Sequence, residues 1–255
     1  MGKIIAIALN TFRESIRDRI FYSLLFFAVV LILFSMVLSN LTIGDPLKII
    51  KDFGLGSISI VGTLIAIFVG IGMVYKEMEK RTIFVILSKP LARWQFLIGK
   101  YCGLSLTILV EVVVMSILLF GLCFLYVPKV PWNLLYAIVP IFFEILLILA
   151  VAFLFSTFST AFLSGMFTLS IFIIGHFTGD LKNLAQSTED VLFQTLSTVI
   201  YYVLPNLEYL NFKTRVVHHL GIGIFEVVFS LIYAIFYTLI LLLIGIFIFQ
   251  QRDIN

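Results

Sequence analysis

YKEMEKRTIFVILSKPLARWQFLIGKY, residues 75–101, is the most charged stretch of an otherwise apolar chain. Lys76, Glu77, Glu79, Lys80, Arg81, Lys89, Arg93 and Lys100 fall within it, and apolar runs long enough to cross a bilayer flank it on both sides. A charged loop held between two membrane spans is where a membrane protein can meet something soluble.

The surrounding composition fixes the solvent. The chain has 255 residues, 62% hydrophobic and 12% charged, with a mean hydropathy of +1.17. Soluble domains carry about 25% charged residues, and an aqueous fold of this size would expose large apolar patches. Lipid is the solvent that fits, and no part is left that is large enough to fold alone in water. The expectation is therefore one membrane domain over residues 1–255. The net charge of +3 is small, and no nucleic-acid partner is expected. Cys102 and Cys123 fall near opposite ends of one expected helix and cannot bridge within it. No C-x-x-C motif or Cys/His cluster points to a metal.

Upstream of the charged stretch, residues 57–74 read as a span, with small residues Gly62, Ala66 and Gly70 on one face. Residues 39–56 read as a loop with a turn at Gly44-Asp45-Pro46, and 21–38 as the first span. Residues 3–20 carry Ile4, Ile5, Ala8, Leu9, Phe12 and Ile16 on one helical face and Asn10, Arg13, Glu14, Arg17 and Asp18 on the other. That pattern suits a helix lying in the membrane interface. It does not read as a cleaved signal peptide.

Downstream, 103–127, 134–155, 161–177 and 224–249 read as spans. Thr160, Ser164 and Thr168 repeat the four-residue spacing of small side chains. Each small-residue stripe reads as intrachain packing, or as a dimer face or path lining. The connection 179–223 contains Ser187-Thr188-Glu189-Asp190, a capping-box pattern, followed by apolar residues at helical spacing up to Leu204. This short helix, 187–204, reads either as lying on the surface or as dipping in and returning. The fold class is thus an all-α integral membrane protein with six spans preceded by an interfacial helix.

An even number of spans puts both termini on one side. The N-terminal element, the charged loop and the tail hold 11 of the 17 Lys and Arg residues, so that side is expected to be cytoplasmic. Glu111 and Glu144 lie within spans, where ionisable groups are costly. They are open to substrate contact, a proton relay, a metal-ion path or a hydrogen-bonded structural role. Glu226 sits at the start of a span and reads as interfacial. His176, His218 and His219 form no metal-ligand pattern, and no phosphate-binding G-x-x-x-x-G-K-[ST] loop occurs. The chain is not expected to be an enzyme or to hold a metal.

Glu77-Met78-Glu79-Lys80-Arg81-Thr82, Leu87-Ser88-Lys89-Pro90-Leu91-Ala92-Arg93 and Gly99-Lys100 together resemble the cytoplasmic loop of type-2 ABC exporter permeases. Arg81 stands where many members have glycine. Asn10-Thr11-Phe12-Arg13-Glu14 and Leu204-Pro205-Asn206-Leu207-Glu208 also look like that family, and most of all like the subgroup that includes the permease of nitrous-oxide reductase maturation. The resemblance implies a permease subunit in a prokaryotic plasma membrane, with residues 3–20 as its elbow helix. It pairs with a second permease, a copy or a paralogue, and with two ATPase subunits that hold ATP and Mg. The coupling interface it implies is Glu77, Glu79, Lys80, Arg81, Thr82, Ser88, Lys89, Pro90 and Arg93, and the second and fifth spans line the path. Charges there would set register, while Ile83, Phe84, Leu87, Trp94 and Phe96 anchor the loop. An ion-coupled carrier built on Glu111 and Glu144 is the alternative from the residues alone. A complex that transmits force without exporting anything shares every motif.

Overall fold

The computed structural model describes residues 2–41, 44–79, 92–188 and 190–251, with the side chains of 76–79 and 186 excluded. Every regular element among them is helical: α1 (Gly2–Ile16), α2 (Arg19–Asn40), α3 (Pro46–Glu79), α4 (Arg93–Tyr126), α5 (Leu135–Ser156), α6 (Ala161–Gln186), α7 (Val191–Val203), α8 (Lys213–Val217) and α9 (Ile224–Gln251). Short 3-10 turns occupy Trp132–Leu134 and Leu207–Leu210. Six of these helices are long and apolar enough to cross a membrane, which makes the chain a multi-pass membrane protein.

Helices α3 and α5 are the most enclosed of the six. Helix α5 is apolar all round from Ile145 to Phe155, the mark of a helix without a solvent face, and Leu147, Ile148, Leu149 and Ala150 are fully buried. Glycines on α3 let its neighbours approach. A Cβ on Gly54 would lie 2.3 Å from Leu119 Cδ1, one on Gly62 2.4 Å from Ile145 Cδ1, and one on Gly70 2.8 Å from Leu149 Cδ1.

The helix ends depart from the hydropathy reading, each for a local reason. The interfacial helix stops at Ile16 rather than residue 20. Asp18 then accepts a hydrogen bond from Ile20 N at 2.9 Å and caps α2. Residues 46–56 are helix rather than loop: Asp45 accepts from Leu47 N at 3.0 Å, Pro46 takes the first helical position, and Gly54 seats Leu119 instead of breaking the helix. Helix α6 runs nine residues beyond 177, where Lys182 sits 4.0 Å above the Tyr201 ring of α7. The capping pattern is split between two helices. Ser187 closes α6, and Asp190 opens α7 by accepting from Leu192 N at 2.9 Å. The charged stretch is helical at both ends, to Glu79 and from Arg93; its middle lies outside the described residues.

The connection after α7 turns inward. Tyr237 donates to Val203 O at 2.7 Å, and Asn206 N donates to the Tyr233 hydroxyl at 2.9 Å. Those tyrosines lie about 20 and 14 Å along α9 from its start. Leu207 and Leu210 are fully buried, and Gly175 leaves room for Leu207 and the Pro205 carbonyl. Helix α7 itself is mostly exposed, with Ser197 its one buried residue, and the chain enters the bundle only after Val203.

Helix α1 lies along α4. Ala8, Thr11 and Ser15 are buried, and α4 brings Gly103 against Ala8 and Thr11 and Gly99 against Ile7 and the Ile4 carbonyl. A Cβ on Gly103 would lie 2.5 Å from Ala8 O, a backbone atom that cannot step aside alone. Gly103→Ala is therefore expected to lower the melting temperature of the detergent-solubilised protein, by an overpacking cost of about 1–3 kcal/mol. Gly121→Ala, where a Cβ meets nothing within 4 Å, should leave the melting temperature unchanged or raise it.

Candidate functional site

Glu144 of α5 is fully buried, and three other elements bring polar side chains to it. Lys213 of α8 donates from Nζ to Ser59 Oγ of α3 at 2.9 Å. Ser59 donates to Glu144 Oε1 at 3.3 Å. His176 Nε2 of α6 stands 3.3 Å from the same oxygen. His176 Nδ1 is 3.0 Å from Phe172 O, which can only accept, so Nδ1 carries a proton. The Nε2–Oε1 contact then requires one further proton between imidazole and carboxyl. That makes Glu144 and His176 a proton-sharing pair, with the Lys213 ammonium one hydroxyl away. Ionisable groups at membrane depth are tolerated when paired in this way.

Glu111 of α4 is the second fully buried carboxyl. It faces the same side of α3: its Oε2 lies 3.1 Å from where a Cβ on Gly62 would stand. Ser59 and Gly62 are three residues apart, about 4.5 Å along the helix, so the two carboxyls meet α3 roughly one turn apart. Among the described residues, both Glu111 oxygens, Glu144 Oε2 and Thr63 Oγ1 have no hydrogen-bond partner.

At the opposite end of the bundle, Arg93 ties two helices together. Its Nη1 donates to the Phe249 and Gln250 carbonyls, both at 3.2 Å, and so caps the C-terminal end of α9 with a cation. Lys100 is buried beside it and donates to Met73 O of α3 at 3.3 Å. Phe96 stacks on Phe249 with centroids 6.5 Å apart.

The expected site residues divide as follows. Arg93 is the one coupling residue whose side chain is described, and it bonds within the chain. Glu77 and Glu79 end α3 with side chains outside the description; Lys80, Arg81, Thr82, Ser88, Lys89 and Pro90 lie outside the described residues altogether. Gly62, Ala66 and Gly70 are used inside the subunit, with Gly62 and Gly70 against α5. This places the α3 stripe in intrachain packing rather than on an outer face. Ser164 and Thr168 are fully buried as well, and Thr160 caps α6 by accepting from Leu163 N at 3.5 Å. The outward face of α6 carries Phe162, Met166, Ile173 and Phe177 instead. Sequence reasoning missed Ser59 and Lys213, and it set His176 aside. The available signal was that an intramembrane carboxylate calls for a cationic partner, and His176 is the one histidine inside a span.

The profile of a family described as ABC-2 family transporter protein matches residues 5–254. No curated protein sequence matches the chain.

If Lys213, Ser59 and Glu144 act as one unit, their substitutions will not add. Lys213→Ala and Glu144→Gln should each lower the melting temperature. The double variant should lose less than the sum, by a coupling of about 0.5–3 kcal/mol. Additive losses in this thermal double-mutant cycle would show the contact to be energetically idle.

Proposed function

Because the chain belongs to the ABC-2 family of transporter proteins, we propose that it is the permease subunit of an ATP-driven exporter, coupled to its ATPase through residues 75–101. Membership implies association with an ABC ATPase, and the membrane subunit of such a transporter is not itself the catalyst. ATP and Mg are held on the partner. Two ATPase copies serve two permease subunits, the second a copy or a paralogue. The chain sits in a prokaryotic plasma membrane with both termini cytoplasmic. The motifs at 77–93 and 204–208 support a place in the subgroup of the nitrous-oxide reductase maturation permease.

The observation that carries this reading is the way the loop is rooted. Helices α3 and α4, each 34 residues long and so about 51 Å, bring the charged stretch out from the most enclosed part of the bundle. Arg93 fastens its far end to α9. A push on the loop is thus delivered to three long helices at once, as a rigid-body change between two states requires. In this reading Glu77, Glu79, Lys80, Arg81, Lys89 and Arg93 orient the ATPase, with Thr82, Ser88 and Pro90 shaping the turn. The outward apolar face of α6 is the surface offered to the second permease. The buried Glu144–His176 pair favours a second reading, an ion-coupled carrier using Glu111 and Glu144. The two are separated by whether transport needs ATP.

The test is purification of the tagged permease from its host in mild detergent. An ATPase should co-purify with the wild type and be lost, or hydrolyse ATP without response to the permease, when Glu77 and Glu79 are both changed to Lys. If no ATPase associates and the double variant behaves like wild type, the exporter reading fails and the carrier reading replaces it. Arg93→Ala gives a second expected outcome: the ATPase still co-purifies, while its hydrolysis no longer responds to the permease. Loss of the ATPase from that variant would assign Arg93 to docking instead.

A further inference from the structure

Away from the Glu144 network, the inward-turning connection and α9 enclose a groove of about 570 Å³. Its walls are aromatic. Tyr209 meets Tyr233 edge-on, with ring centroids 5.7 Å apart, and Phe212 and Phe229 complete the lining. Phe229, at 69% exposed, stands at the rim on the outward face of α9, in line with Phe225 and Phe236. The groove therefore borders the side of the bundle that the bilayer bathes.

Its charges are unequal. Arg215 is the single cation in the lining, and it is already engaged. It donates to Glu226 at 2.5 Å and to the Gly221 carbonyl at 2.6 Å, and it lies 5.8 Å from the Phe212 ring. Glu226 is thereby neutralised. Among the described residues, the Glu208 carboxylate has a neutral partner alone, the Asn211 amide, which donates to its Oε2 at 3.0 Å. Asn211 Oδ1, buried in the lining, has no hydrogen-bond donor among the described residues. The Tyr201–Tyr209 hydroxyl contact at 2.9 Å holds the Tyr209 phenol above its ordinary titration range, so it adds no charge. What remains is one uncompensated carboxylate, an acceptor oxygen and ring faces, all beside an apolar rim.

We propose that this groove binds an amphiphilic monocation, an ammonium head on a hydrocarbon chain, with the head between Glu208 and the tyrosine rings and the chain along Phe229. Ring faces attract a desolvated ammonium, the carboxylate supplies its counter-charge, and the open apolar rim leads the tail into the bilayer. Phosphate-bearing lipids fit less well, because the cation that would meet the phosphate is bound to Glu226. The site is independent of the exporter reading: binding needs neither ATP nor an ATPase, so its failure would leave that reading standing.

The probe is radiolabelled decyltrimethylammonium, titrated onto the permease in nanodiscs of phosphatidylcholine, with empty discs as the partition control. Saturable binding is expected for wild type, with decyl sulfate giving partition alone. Glu208→Gln should weaken binding by about tenfold, as should Tyr209→Leu. Both positions are exposed, and each variant is checked by gel filtration and melting temperature before titration. Saturable binding that both folded variants retain, or no binding beyond empty discs, overturns the proposal. Displacement of the probe by phosphatidylethanolamine mixed into the discs would overturn it too, and would assign the groove to a phospholipid headgroup.

Discussion

Helix α3 sits at the centre of the bundle with three of its five glycines pressed against side chains of α4 and α5. Leu119, Ile145 and Leu149 reach its backbone at Gly54, Gly62 and Gly70. In a bilayer no hydrophobic force drives one apolar helix onto another, and close packing has to supply the attraction. Dispersion falls steeply with separation, so a Cβ at any of these points would displace the Leu or Ile side-chain end that fills the space and cost its contacts there. Gly62 does more than permit packing. The space it leaves is where the Glu111 carboxyl lies, so the same missing atom sets both the α3–α5 distance and the room for a buried acid.

That tight core explains why the polar chain can exist. A carboxyl at the depth of Glu144 is expensive in hydrocarbon, and no single neighbour here offsets the cost. Ser59 comes from α3, His176 from α6 and Lys213 from α8. Lys213 arrives only because the connection after α7 turns down into the bundle. The turn is itself held by the Tyr233 and Tyr237 hydroxyls of α9. Packing, backbone satisfaction and charge pairing thus depend on one another in this half of the molecule.

Hydropathy made the six crossings and their order legible, because a run of about 20 apolar residues has few alternatives. It could not locate the ends. Those are decided by single side chains such as Asp18 and Asp190, which cap, and by Gly54, which reads as a helix breaker until Leu119 is seen against it. The small-residue stripes were visible as stripes. Which helix they faced was not, since lipid, a neighbouring helix and a second subunit all accept small residues. For the buried chain, the sequence showed Glu144 alone. Ser59 and Lys213 lie 85 and 69 positions from it, and only the fold closes that distance.

Helix α9 joins the two ends of this arrangement. Its C-terminal end accepts Arg93, and its N-terminal half holds the inward-turning connection through two tyrosines. A 28-residue helix is about 42 Å long and stiff on that scale, and Gly245 lets it lie close to Leu154 of α5. A shift of the charged loop that moved α9 would therefore strain the connection that delivers Lys213. Lifting Lys213 from Ser59 would take the ammonium away from the buried Glu144, a change that a low-dielectric interior makes costly. The Lys213–Ser59–Glu144 contact would oppose such a motion from the other end of the helix. Such opposition is what gives a packed bundle two defined positions instead of a continuum.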